Sequence, residues 1–235
     1  MSILKYRTQI TLYNSYFNKD KELTQKAILS IFQDVASHHA ETIGLGFSDM
    51  FNKNLYWVLS RVKFDVYKMP SLYEEVIVET WPHEKGRVDF DRDISIYSLN
   101  NELLIKGTTK WCVIDTVTRT LQRTTNVNYI GEYCLDKNYE DRFNKINLPD
   151  KESKYIYTHN VNYSDIDPND HMNNTNYALL VSNVINNKLT RHFEINYLNE
   201  CLLGDEIKLC LISDETGEYT VGKVEEKVVF VTYTS

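Results

Sequence analysis

The sequence predicts an α+β fold built twice over, a tandem of two units that each lay one helix on an antiparallel sheet. Three observations predict it. The order strand, helix, several strands occurs in residues 5–114 and again, in shorter form, in residues 155–233. The helical stretches carry one apolar stripe at a 3.6-residue period, and the strand-like stretches alternate at a period of two. Tyrosine is abundant, at 17, beside only 8 glycines and 4 prolines, which favours sheets with long strands over loop-rich folds.

The first unit opens with a strand in residues 5–17, where Tyr6, Thr8, Ile10 and Leu12 alternate with polar positions. A helix follows. Leu23, Ala27, Ile28, Ile31, Phe32, Val35 and Ala36 fall on one stripe, and Gly44 and Gly46 end it, as helix C-termini favour. His38 and His39 sit near that end, where the sequence places them on the surface or against the helix dipole. Four strand-like runs come next, in residues 56–67, 75–81, 88–97 and 103–114, with Asn100-Asn101 as a hairpin turn between the last two. Residues 119–151 read as a polar connector with little periodicity. The second unit then repeats the plan: a strand in 155–163, a helix from Asn174, and strands in 191–197, 206–212 and 221–233.

Tested as an internal repeat, a shift of 130 brings Tyr67 to Tyr197, Leu72 to Leu202 and Ile77 to Ile207, and a shift of 151 brings Ala27 to Ala178. These shifts set Tyr16, Asn18 and Asp20 against Asp167, Asn169 and His171, and Pro70 against Glu200. The first half therefore lacks an imidazole and a late carboxylate that the second half has.

The net charge of −7 argues against a general affinity for nucleic acid or anionic membrane. No window approaches the 18 or so apolar residues of a membrane span, and the first residues carry no apolar signal core. Cys112, Cys134, Cys201 and Cys210 lie far apart with no CxxC pair, and the six histidines show no HExxH spacing. No metal centre is expected, and reduced thiols fit a cytoplasmic protein.

The densest polar stretch is Ser164 to Tyr177. It runs straight into a helical stripe of Tyr177, Leu180, Val181, Val184 and Ile185, with Asn173 or Asn174 as N-cap. Asp167, Asn169 and His171 thus stand just before a helix N-terminus, where the dipole favours developing negative charge. Asp165, Asp167 and Asn169 imitate the start of a calcium loop, but Asp170 stands where glycine is required and Asn176 where the bidentate glutamate belongs.

The pattern Asp167-x-Asn169-x-His171-x-Asn173-Asn174-x-x-Tyr177, followed by Glu200-Cys201, resembles the signature of the acyl-acyl-carrier-protein (acyl-ACP) thioesterases. The likeness extends to Trp57–Arg61, Tyr67–Pro70, Thr80-Trp81, Arg92-Asp93 and Trp111–Arg119, so it covers nearly the whole chain. It implies a tandem (double) hotdog fold, two helix-in-antiparallel-sheet units joined into one pseudo-dimeric domain. Residues 1–145 would form an N-terminal hotdog holding an acyl-chain tunnel, and residues 146–235 a C-terminal hotdog holding the catalytic residues. The implied reaction is hydrolysis of long- or medium-chain acyl-ACP. It needs no cofactor, because phosphopantetheine arrives on the substrate. Acyl carrier protein is the implied partner, with no nucleic acid and no membrane span, and a homodimer stays open. A hotdog acyl-coenzyme-A thioesterase, a hydratase and a non-catalytic acyl-binding module remain as alternatives.

Thioester hydrolysis needs a placed water, a base for it and donors for the carbonyl oxygen. Asn169 offers a carboxamide donor, His171 a donor or proton relay, and Glu200 the base. Asp167 would orient Asn169 or His171, or attack as a nucleophile through a mixed anhydride. Cys201 enters as a neighbour of the site, its pKa raised by Glu200 beside it. By position on the first helix and its sheet, Ile28, Phe32, Val35, Phe64, Val66, Val78 and Phe90 are the tunnel candidates. Acyl carrier proteins are acidic, so Lys85, Arg87, Arg92, Lys110, Arg119 and Arg123 are candidates for a local basic patch at the tunnel mouth.

Overall fold

A computed structural model of the chain describes residues 4–141, 143–186 and 190–235. The chain divides into two compact units: Met1–Thr24 with Ser30–Phe143, and Gln25–Leu29 with Asn144–Ser235.

The first unit contains β1 (Tyr6–Thr11), most of α1 (Gln25–Thr42), a short helix α2 (Phe47–Phe51), β2 (Leu55–Val66), β3 (Glu75–Pro82), β4 (Phe90–Ser98) and β5 (Leu103–Asp115). Its strands pair antiparallel in the order β1-β3-β4-β5-β2. Ala27, Ile28, Ile31, Phe32, Val35 and Ala36 are all buried, so the predicted stripe of α1 is its inward face. Burying side chains of this size contributes about 1.5–3 kcal/mol each for the larger ones. Gly107 of β5 lets the helix come close, because a Cβ there would collide with the Phe32 ring. Phe32 in turn meets Phe64 edge to face, with ring centroids 6.2 Å apart. Gly44, at φ +69°, turns the chain out of α1. Asn101, at φ +61°, makes the β4–β5 hairpin turn that the sequence predicts.

The second unit contains β6 (Lys154–Asn160), α3 (Asn174–Val184), β7 (His192–Tyr197), β8 (Glu206–Ser213), β9 (Glu218–Val224) and β10 (Lys227–Thr234). Its order, β6-β8-β9-β10-β7, repeats that of the first unit strand for strand. The single run predicted over residues 221–233 is in fact two strands. They are joined at Glu225-Glu226, where Glu225 adopts φ +53° amid charged residues that leave no apolar signal for either strand end.

The 119–151 segment is less loose than its polarity suggests. Val127 and Phe143 are buried. Asn138 donates its backbone amide to Asp93 at 2.6 Å and its carboxamide to the carbonyls of Ile94 and Gly107 at 2.9 Å each. Arg61 donates to the Phe143 carbonyl at 2.7 Å. Side-chain hydrogen bonds to strand carbonyls replace periodicity here, which is why a period search misses the packing.

Candidate active site

The loop before α3 is held by its own short side chains. Asp165 Oδ2 accepts from the Asn162 amide at 2.9 Å and lies 2.9 Å from His159 Nε2, which pins the start of the loop. Asp167 Oδ1 accepts from the Asn169 amide at 2.8 Å, and the Asp167 amide donates to the His171 carbonyl at 2.9 Å. The turn closes through Asp170 at φ +63°, a conformation that Asp and Asn tolerate better than most residues. Asn173 is the N-cap of α3, its Oδ1 accepting from the Thr175 amide at 2.9 Å.

A second loop, between β7 and β8, meets the first. The Met172 amide donates to the Cys201 carbonyl at 2.9 Å, which ties the residue after His171 to the residue after Glu200. Asn199 secures the second loop by donating to the Val228 carbonyl at 2.7 Å. With both backbones fixed, His171 Nε2 stands 3.0 Å from Glu200 Oε2. The two side chains are 19% and 38% exposed, so the pair is reachable from solvent. Asn169 is exposed on the same loop as His171.

Cys201, next to Glu200 in the chain, is fully buried. Burial pushes its thiol up to about 11, the charge of Asp205 adds to this, and a hydrogen bond with Tyr177 opposes it. The upward shift agrees with the sequence-based expectation, but its cause is burial and Asp205, not Glu200. Tyr177 packs edge to face against Tyr197 and Phe230, with centroids 5.4 and 5.1 Å away.

The first unit holds an apolar cavity. From α1 come Ala36, Ser37 and Ala40, and from the sheet Trp57, Phe90, Arg92 and Trp111, with Leu45 and Tyr129 completing the wall. Among the tunnel candidates only Phe90 lines it. Phe32, Val35, Phe64, Val66 and Val78 are buried core. Ile28 is also buried and falls with the second unit. Bulky residues fill the space between helix and sheet, and room opens one turn on, where α1 presents Ala36 and Ala40. That pair of small residues four apart was the available signal.

The basic-patch candidates fare unequally. Arg92 is 6% exposed and faces inward beside Phe90 and Ile94, so it is no part of a surface patch. Lys110 is neutralised by Asp89 at 2.8 Å and Asp91 at 2.6 Å. Lys85 is spent on the Thr124 and Val127 carbonyls. Arg87, Arg119 and Arg123 are exposed. His39, expected at the surface, is buried and pairs with Arg92 at 2.9 Å through Nδ1.

Models of the acyl-ACP thioesterase N-terminal and C-terminal domains match residues 3–130 and 148–228. The chain is 26% identical to the palmitoyl-acyl carrier protein thioesterase of Arabidopsis thaliana, over 84% of this chain and 52% of that protein. It is 27% identical to oleoyl-acyl carrier protein thioesterase 1 of the same plant, over 87% and 62%. The chain thus spans between half and two thirds of the length of these relatives. An acyl-ACP thioesterase structure from Bacteroides thetaiotaomicron superposes with a TM-score of 0.86 at 23% identity, covering 98% of this chain and 97% of that one. The 12:0-ACP thioesterase from Umbellularia californica gives 0.83 at 20% identity, covering 99% and 96%. The fold is the double hotdog.

Proposed function

Because the chain belongs to the acyl-ACP thioesterase family, we propose that it hydrolyses the thioester between a medium- or long-chain acyl group and acyl carrier protein, releasing free fatty acid and the carrier thiol. The observation that carries this reading is the 3.0 Å pairing of His171 with Glu200. In the proposed reaction a water attacks the thioester carbonyl and gives its proton to the Glu200–His171 pair. The oxygen that becomes negative is met by the Asn169 carboxamide and by the N-terminal end of α3. Collapse of the tetrahedral species breaks the C–S bond, and the departing sulfur takes the proton back from the pair. Asp167 acts through Asn169, whose amide it holds at 2.8 Å. The chemistry draws on no resident cofactor.

We assign the acyl chain to the cavity of the first unit, and the acidic carrier to a surface that includes Arg87, Arg119 and Arg123. Among the described residues no helix is long and apolar enough to cross a membrane. The four cysteines are free thiols, which fits a reducing compartment, and we place the reaction in the cytoplasm. Thiol release from matched acyl carrier protein and coenzyme A thioesters tests the reading. Faster turnover on the carrier protein is expected. Turnover only on coenzyme A thioesters, or saturable binding with no turnover, would replace it with one of the alternatives.

A further inference from the structure

Arg92 is a buried cation, 6% exposed, in the wall of a largely apolar cavity, and its partners among the described residues are uncharged side chains. It lies 2.9 Å from His39 Nδ1 and donates to Thr80 Oγ1 at 3.2 Å, and it also hydrogen-bonds with Tyr129. Burial and the Arg92 charge hold the His39 pKa down at about 4, so the imidazole is neutral at pH 7 and accepts from the guanidinium. Burial raises the Tyr129 pKa, so the phenol also keeps its proton. The neighbouring carboxylates cannot compensate. Asp91 and Asp93 alternate with Arg92 along β4 and point to the other face of the sheet. There Asp91 pairs with Lys110 at 2.6 Å, and Asp93 accepts from the Asn138 amide at 2.6 Å with His83 Nε2 2.9 Å away. A guanidinium stays charged in proteins, and a buried charge without a counter-charge is costly.

We propose that this cavity is a carboxylate-binding site: the guanidinium of Arg92 takes the carboxylate of a fatty chain whose body lies on Trp57, Phe90 and Trp111. The planar fork of an arginine fits a carboxylate with two parallel hydrogen bonds. A single cation among apolar walls suits a monoanionic head better than a phosphate, which calls for more donors. The carboxylate has two sources, a free fatty acid or an acyl thioester with a second carboxylate at its far end. The site shares the cavity that the hydrolytic reading gives to the acyl chain, and it is read first by binding, so that its failure and the failure of that reading are told apart.

Trp57 and Trp111 in the wall supply the signal. Fluorescence of the full chain is titrated with dodecanoate and, as the neutral counterpart, dodecanol. Wild type is expected to bind dodecanoate at least about tenfold more tightly, because one charge-assisted pair separates the two ligands. Arg92→Met is expected to bind them equally. Equal binding by wild type, or a preference for the acid that survives in Arg92→Met, overturns the proposal. If Arg92→Met does not fold, the wild-type ratio decides alone. Turnover assays then identify the source. A dodecanedioyl carrier-protein thioester favoured over the dodecanoyl one, by wild type but not by the variant, assigns the carboxylate to the substrate. Inhibition of wild type but not of the variant by free dodecanoate assigns it to the released acid.

Discussion

The two units build the same loop from different side chains. The 3-10 turns at Asn14–Tyr16 and Tyr163–Asp165 set an offset of 149 residues. At that offset the isolated bridges Phe17–Leu23 and Ile166–Met172 coincide, and so do the left-handed residues Lys21 (φ 62°) and Asp170 (φ 63°). The Asn18 amide donates to the Glu22 carbonyl as the Asp167 amide does to that of His171, each at 2.9 Å. Asn18 Oδ1 accepts from the Asp20 amide at 2.9 Å, as Asp167 Oδ1 accepts from Asn169 at 2.8 Å. The strands after the second loop carry an offset of 131, Glu75 to Glu206, which sets Met69 against Glu200. So His171 corresponds to Glu22, and Glu200 to Met69. The loop geometry is a property of the fold. The imidazole–carboxylate pair is what the second unit alone has added to it.

The largest expected effect follows from that addition. His171→Ala and Glu200→Ala should each lower kcat by about 10²–10⁴, the range of a placed acid–base group. Because the two stand 3.0 Å apart they act as a unit, and the double variant should be no slower than the worse single one. Steady-state turnover of all three against acyl-ACP checks this. Additive losses would mean that the two residues serve separate steps.

Cys201→Ala should leave kcat within about tenfold of wild type, since a buried thiol held near 11 is a poor nucleophile at neutral pH. Rate and unfolding midpoint measured together separate chemistry from packing.

The turn bonds come next. Asp167→Ala removes one side-chain-to-amide hydrogen bond and should cost about 1 kcal/mol. Asn18 accepts from two amides, of Asp20 and Glu22, so Asn18→Ala should cost at least as much. Asp167→Asn should keep the stability, within about 0.5 kcal/mol, because asparagine already does this job in the twin loop. Urea midpoints check the set, and the rate of Asp167→Asn then measures the carboxylate charge free of any loss of the turn.

How much of this was legible follows from which interactions have a sequence period. The stripes of α1 and α3 and the N-cap at Asn173 could be read because helix geometry imposes them locally. The meeting of His171 with Glu200 rests on the family resemblance, since nothing local brings those loops together. The structure sets the repeat register two residues from the sequence match in the loop and one in the strands, because the matched apolar residues tolerate a slip that the turn hydrogen bonds do not. Charge alone puts Arg92 at the surface and His39 at the surface or against the helix dipole, whereas the alternation of β4 buries Arg92. His159 gives no sequence signal, because its partner Asp165 is recruited through a loop turn that has no period.

The smallest expected effect tests the comparison most directly. Glu22 occupies the histidine position of the first loop, and its Oε2 accepts from the Asn18 carboxamide at 3.2 Å. If the first loop is scaffold only, Glu22→Gln should leave kcat and KM within about twofold, and its stability change should stay within about 0.5 kcal/mol as for a surface position. Glu22→His with Met69→Glu copies the second unit's pair onto the first. It should add no second activity in a His171→Ala background, because the copied pair would still lack the Asn169 carboxamide, Asp20 being the acidic residue at that position. Recovery of even a tenth of the wild-type rate in that background would show that the pair alone suffices, and that Asn169 contributes far less than a donor for the oxyanion should.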